Sequence, residues 1–176
     1  MLAGFMRSTC TPLRTLLARA VVSLSITLLA VAAHAQALPG GAQLGMNAQQ
    51  LRDVVPGLAR VPRPVRMAGG LVGSWRGPAV DIAGVLLAPT YFLAEGELRR
   101  IEYVADADMA ANGYESLLAW GRSLWGPELA SQGSEGAYAA WTGDTLQAYL
   151  QLAGGGQRSQ LRLVVKLRST RDASEL

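Results

Sequence analysis

Apolar and polar residues alternate most cleanly near the end of the chain, where Leu161, Leu163, Val165 and Leu167 interleave with Arg162, Val164, Lys166 and Arg168. A period of two marks a strand with one buried face. Strand signals also run from Leu71 to Val104, as Val72 to Arg76, Val80 to Leu87, Tyr91 to Ala94 and Leu98 to Val104. Gly77-Pro78 and Glu95-Gly96-Glu97 act as turns between them, and this stretch predicts a three-stranded antiparallel meander. Gly136 to Thr142 and Thr145 to Leu152 precede the last strand.

Two segments follow the helical period instead. Leu51, Val54, Val55 and Leu58 form one apolar stripe behind Asn47, with Gln50 three residues on as a capping box and Pro56 limiting the helix near Val55. Asn112 with Glu115 offers a second box, followed by Tyr114, Leu117, Leu118, Leu124 and Trp125, and Gly126-Pro127 supplies the stop. The pattern predicts an α+β fold of two helix-plus-antiparallel-meander units, αβββαβββ, with the helices on one face of the sheet. Trp75 and Trp141, like Gly77 and Gly143, lie 66 positions apart, which predicts an internal duplication of 46–104 and 112–168.

Composition changes the picture at the beginning of the chain. Its 176 residues hold 16 Lys+Arg, 13 Asp+Glu, one His and one Cys. Residues 1–19 carry Arg7, Arg14 and Arg19 without an acid, and Ala20 to Ala33 is an apolar run ending in Ala33-His34-Ala35. A basic start, a short apolar stretch and an A-x-A site predict a signal peptide over 1–35, with Ala33 and Ala35 marking the cleavage site. The run is shorter than the ~20 residues a spanning helix needs, so an integral membrane protein is not expected after cleavage. Cys10 precedes the apolar run, which argues against lipid anchoring. The expected product is periplasmic or secreted, with a flexible segment over 36–45, a single α+β domain over 46–170 and a disordered tail over 171–176.

Cleavage removes the sole histidine and the sole cysteine and leaves 13 charges of each sign. Disulfides, thiol nucleophiles, imidazole bases and His or Cys metal sites are excluded together, and a neutral chain gives no electrostatic footprint for nucleic acid. Asp106, Asp108, Asn112 and Glu115 have oxygen-ligand character, but Ala110 and Ala111 stand where a calcium loop needs a ligand and a glycine, so no metal and no other cofactor is expected. Gly154-Gly155-Gly156 precedes a strand and lacks the helix N-terminus of a phosphate loop. Asp81, Glu95, Glu97 and Glu102 could pair as in a glycan hydrolase, though their spacing shows nothing specific, and a carrier of an apolar small molecule is a further alternative. Lys166, the only lysine, lies among outward charges.

Trp75, Trp120 and Trp141 are candidate binding residues, each weighed against core packing, with Trp120 off its helix stripe. Arg60, Arg63 and Arg66 are candidates as well, because two prolines favour a polyproline II segment that lines the three up for anionic groups.

Leu44-Gly45-Met46-Asn47, followed by Leu51 and Val55, resembles the opening of small bacterial envelope proteins whose helix packs on a three-stranded sheet, the outer-membrane assembly lipoprotein among them. The duplicated helix-plus-sheet order is similar to the β-lactamase inhibitory protein. The resemblance implies a protein that binds other proteins and does no chemistry. The expected function is therefore a non-enzymatic protein-binding or envelope-assembly module, with a partner in the envelope and an oligomeric state the pattern leaves open.

Overall fold

In the computed structural model, the structure describes residues 38–105, 107–133, 136–154 and 159–168, with the backbone alone for 107–111 and 130–133. The signal segment, its Ala33-Ala35 site, Asp106, Gly155, Gly156 and the tail lie outside these residues.

The first helix, α1 (Ala48–Val54), forms where its spacing predicts. The Asn47 side chain accepts from the amides of Gln49 and Gln50 at 2.9 and 3.0 Å, and Gln50 Oε1 accepts from the Asn47 amide at 2.9 Å. Two otherwise orphaned donors at the helix start and the Asn47 amide are thereby satisfied. Over its described part, the segment before the helix packs on the domain. Leu38 and Ala42 are buried, Tyr103 donates its hydroxyl proton to the Pro39 carbonyl at 2.9 Å, the Gly45 amide donates to the Leu98 carbonyl at 2.8 Å, and the Leu98 amide donates to the Met46 carbonyl at 2.7 Å.

The strands that follow are β1 (Ala59–Arg66), β2 (Val72–Arg76), β3 (Val80–Ile82), β4 (Val85–Ala94) and β5 (Glu97–Ala105). After helix α2 (Ala107–Trp125) come β6 (Leu129–Gly133), β7 (Gly136–Thr142), β8 (Leu146–Ala153) and β9 (Gln160–Leu167). Every pairing is antiparallel, in the order β1-β2-β4-β5-β9-β8-β7-β6, and β3 continues the line of β2 along the first residues of β4.

This arrangement overturns the expected αβββαβββ units. Among the described residues the strands form one mainly-β sheet, joined without a break where β5 pairs with β9 from Arg100↔Lys166 to Val104↔Arg162. Four departures from the pattern account for the change. The Arg60–Arg66 segment is an edge strand, not a polyproline connector, because a proline's missing N–H costs no ladder bond on an outer edge. Its register shifts between Arg60 and Val65, the stretch that holds Pro62 and Pro64. The Ala83-Gly84 turn divides Val80 to Leu87 into β3 and β4, and β6 forms without an apolar alternation to announce it. Helix α2 begins at Ala107 rather than at the Asn112 box, since the alanine-rich first turn favours helix over an internal cap.

One apolar cluster joins both helices to the sheet. It includes Leu51 from α1 and Val55 at its C-cap, Leu117 and Leu118 from α2, and Tyr91, Ile101, Tyr103, Leu163 and Val165 from the strands. Each fully buried Leu or Val there contributes roughly 1.5–3 kcal/mol over exposure. Phe92 and Val164, only 3% and 0% exposed, fall outside that cluster and occupy the sheet's other face. No described helix is long and apolar enough to cross a membrane.

Candidate functional site: the face of the sheet away from the helices

Strand alternation sends Ile101, Tyr103, Leu163 and Val165 into the core and turns Arg100, Glu102, Arg162, Val164 and Lys166 to the opposite face. Register then sets the neighbours. One row across the sheet runs Gly73, Phe92, Arg100, Lys166, Gln147 and Thr142. The next runs Thr90, Glu102, Val164, Tyr149, Ala140 and Leu129. A third brings Val104, Arg162, Gln151 and Tyr138 into line.

The first row contains a hole that the second strand fills. A Cβ on Gly73 would stand 2.7 Å from Phe92 Cε1, so only glycine leaves room for the ring. Phe92 in turn supports Arg100, whose guanidinium lies 5.6 Å from the Phe92 ring and 5.7 Å from that of Tyr149. With its side chain only 8% exposed, Arg100 needs an opposing charge, and Glu102 Oε2 supplies it at 3.3 Å. Arg162 Nε forms an ion pair with the other oxygen, Glu102 Oε1, at 2.9 Å. Both carboxylate oxygens are therefore engaged, and Arg100 Nε remains buried without a partner. Tyr149 and Tyr138 lie side by side with ring centroids 6.0 Å apart, and Tyr138 and Leu129 are 38% and 78% exposed. The face thus combines a cationic centre with an aromatic and apolar flank. Beyond Lys166, at the end of the strands, an open cleft of about 550 Å³ is lined by Leu71, Glu95, Arg99, Lys166 and Arg168.

The residues singled out from sequence lie elsewhere. Trp75 and Trp141 are 7% and 3% exposed and belong to the core. Arg60 and Arg52 stack over the Trp75 ring at 5.0 and 5.7 Å, so Arg60 covers a core tryptophan. Arg63 and Arg66 are exposed on the β1 edge, without Arg60 beside them as a line of three. Trp120 is half-buried and meets Trp125 edge-on at 5.2 Å. Trp125 continues to Trp141 at 5.3 Å, and Trp141 Nε1 donates to the Gly126 carbonyl at 3.0 Å. A Cβ on Gly121 would come within 2.6 Å of the Trp141 ring, so the helix approaches the sheet there through a glycine. An open cleft of about 350 Å³ beside Trp125, Trp141 and Asp144 is a groove at the β7–β8 turn, not an enclosed carrier cavity.

Of the carboxylates considered for hydrolysis, Glu95 and Glu97 are neighbours held by one guanidinium, while Asp81 and Glu102 lie apart. Glu95 and Glu97 both pair with Arg99, at 3.5 and 3.0 Å. Asp81 accepts from the Gly84 amide at 3.0 Å in the β3–β4 turn. Asp81 pairs with Leu86 and Glu102 with Thr90, four residues along β4, about 13 Å at the usual rise of a strand. Among the described residues no group of three or more His, Cys, Asp and Glu is placed to hold a metal. The backbone of Asp108 lies in α2, and its side chain is outside the described residues.

Comparison of the chain with protein-family models, curated proteins and solved structures finds no match in any of the three. The open face was half-visible in the sequence. Arg100, Glu102, Arg162 and Lys166 occupy the polar phase of their strands, but nothing local announces that β5 and β9 are neighbours, or that Phe92 and Tyr149 flank Arg100.

Proposed function

We propose that the chain is an exported, non-enzymatic binding module that engages a protein of the envelope through the sheet face away from the helices. The observation carrying this reading is that face itself, where Tyr138, Tyr149 and Leu129 adjoin a guanidinium pair held by one carboxylate. Aromatic and arginine side chains are the types that dominate protein–protein contacts. The distance between Asp81 and Glu102, and the engagement of Glu95 and Glu97 with Arg99, support a binding role over hydrolysis. The likeness of Leu44 to Val55 to envelope binding proteins, and the basic and apolar opening of the chain, point the same way.

A photo-crosslinking residue tests this directly when placed at Tyr138 or, as a control, at exposed Glu115 on α2. In intact producing cells, position 138 is expected to yield a discrete protein adduct and position 115 none. Absence of any adduct from the open face across several growth conditions would sink the reading.

A further inference from the structure

We infer that the partner presents an acidic, extended segment that lies along β9 and sets carboxylates on Arg162 and Lys166, with an apolar side chain between them against Tyr149 and Tyr138. This deepens the proposed function and rests on it.

Charge commits the face to such an occupant. Arg100, Arg162 and Lys166 face a single carboxylate, Glu102, an excess of two positive charges at the centre of the sheet. Glu102 is saturated, since one oxygen goes to Arg100 and the other to Arg162. Arg162 uses Nη2 on Gln160 Oε1 at 2.9 Å and has one terminal nitrogen left. Lys166 has no carboxylate within ion-pairing distance among the described residues. With Glu102 shared between Arg100 and Arg162, the accessible groups that still offer donors to an anion are those of Arg162 and Lys166, four positions apart on one strand.

Spacing then specifies the occupant. Residues four apart on a strand share a face and stand about 13 Å from each other. An extended partner chain repeats that spacing, so acids at its positions i and i+4 match both cations and position i+2 falls between them. Below that midpoint lies Val164, fully buried and paired across the ladder with Tyr149. Tyr138 widens this platform. An apolar residue at i+2 completes the match.

Charge reversal in the full chain tests the inference. In the Tyr138 crosslinking strain, Arg162→Glu with Lys166→Glu is expected to lower adduct yield at least tenfold, whereas Arg63→Glu on the β1 edge leaves it unchanged. If the reversed pair impairs folding, as a lowered thermal midpoint would reveal, Arg162→Gln with Lys166→Gln is expected to give a several-fold loss. Undiminished adduct from folded protein would overturn the inference and leave the binding reading intact. No adduct from the wild-type protein would take both down. With purified protein, the peptide acetyl-Glu-Ser-Leu-Ser-Glu-amide is expected to shift the amide signals of Val164, Tyr149 and Lys166. Equal shifts with the lysine-for-glutamate peptide, or with inorganic phosphate alone, would overturn it too.

Discussion

Tyr91 and Tyr103 are both fully buried, yet their hydroxyls meet opposite fates. Tyr103 donates to the Pro39 carbonyl, while the Tyr91 oxygen is buried with no partner. Burial raises the Tyr91 pKa to about 12, and it raises that of Tyr103 as well, with the neighbouring Tyr91 adding to the effect. A buried hydroxyl without a hydrogen bond is a liability, whereas a satisfied one contributes about 1 kcal/mol. Tyr91→Phe is therefore expected to leave stability unchanged or raise it by up to about 1 kcal/mol, and Tyr103→Phe to lower it by about 1 kcal/mol or more. Urea denaturation of the two variants checks the contrast, and a marked loss for Tyr91→Phe would show a missing partner for that oxygen. Residue type alone could not separate the pair. The same holds for the tryptophans, where a large side chain before a turn suits both an anchor and a core, and neighbours alone decide.

At the next scale, the end of α2 shows how local signals and contacts divide the work. Gly126 at φ +81° followed by Pro127 stops the helix where its spacing says it must stop. Past the stop, Glu128 reaches back to Arg122, whose Nε donates to it at 2.8 Å. That hydrogen bond, foremost among the causes, pulls the Glu128 pKa down to about 2. A folded-state pKa below the unfolded value contributes stability above the unfolded value near 4.5, and the contribution is lost as pH falls towards 2. Wild-type protein is thus expected to be more stable than Glu128→Gln at pH 7, with the difference closing between about pH 4.5 and 2. Parallel thermal melts across that range would expose a constant gap, which the linkage forbids. Among the other elements, helix α1 and strands β2, β7 and β9 were legible because period, cap and turn agree. Strand β1 was not, since two prolines describe an edge strand and an extended connector equally well, and β6, Leu129–Gly133, has no apolar alternation to show a period.

For the molecule as a whole, the β5–β9 pairing decides the architecture. Ile101 opposes Val165 and Tyr103 opposes Leu163 across that seam, all four buried in the cluster that both helices share. A core continuous across the joint predicts one cooperative transition. The amide signals of Trp75 and Trp141, in strands on opposite sides of the seam, are expected to vanish at a common urea midpoint. Two separated midpoints would mean halves that fold apart. The same pairing assembles the cationic centre, because Arg100 and Glu102 come from one side and Arg162 and Lys166 from the other.

Short-range spacing was sufficient to say where most of the chain turns, which residues of a strand share a side, and which histidine- and cysteine-based chemistries vanish if residues 1–35 are removed. These properties depend on positions two to seven residues apart. Which strands lie side by side depends on contacts more than sixty residues apart along the chain, as between Arg100 and Lys166, and on shapes such as the gap over Gly73 that admits Phe92. Burial energy is nearly indifferent to which apolar strand edge meets which. Only the closed core selected β5 against β9, and with it one sheet in place of two units and one cationic face in place of scattered charges.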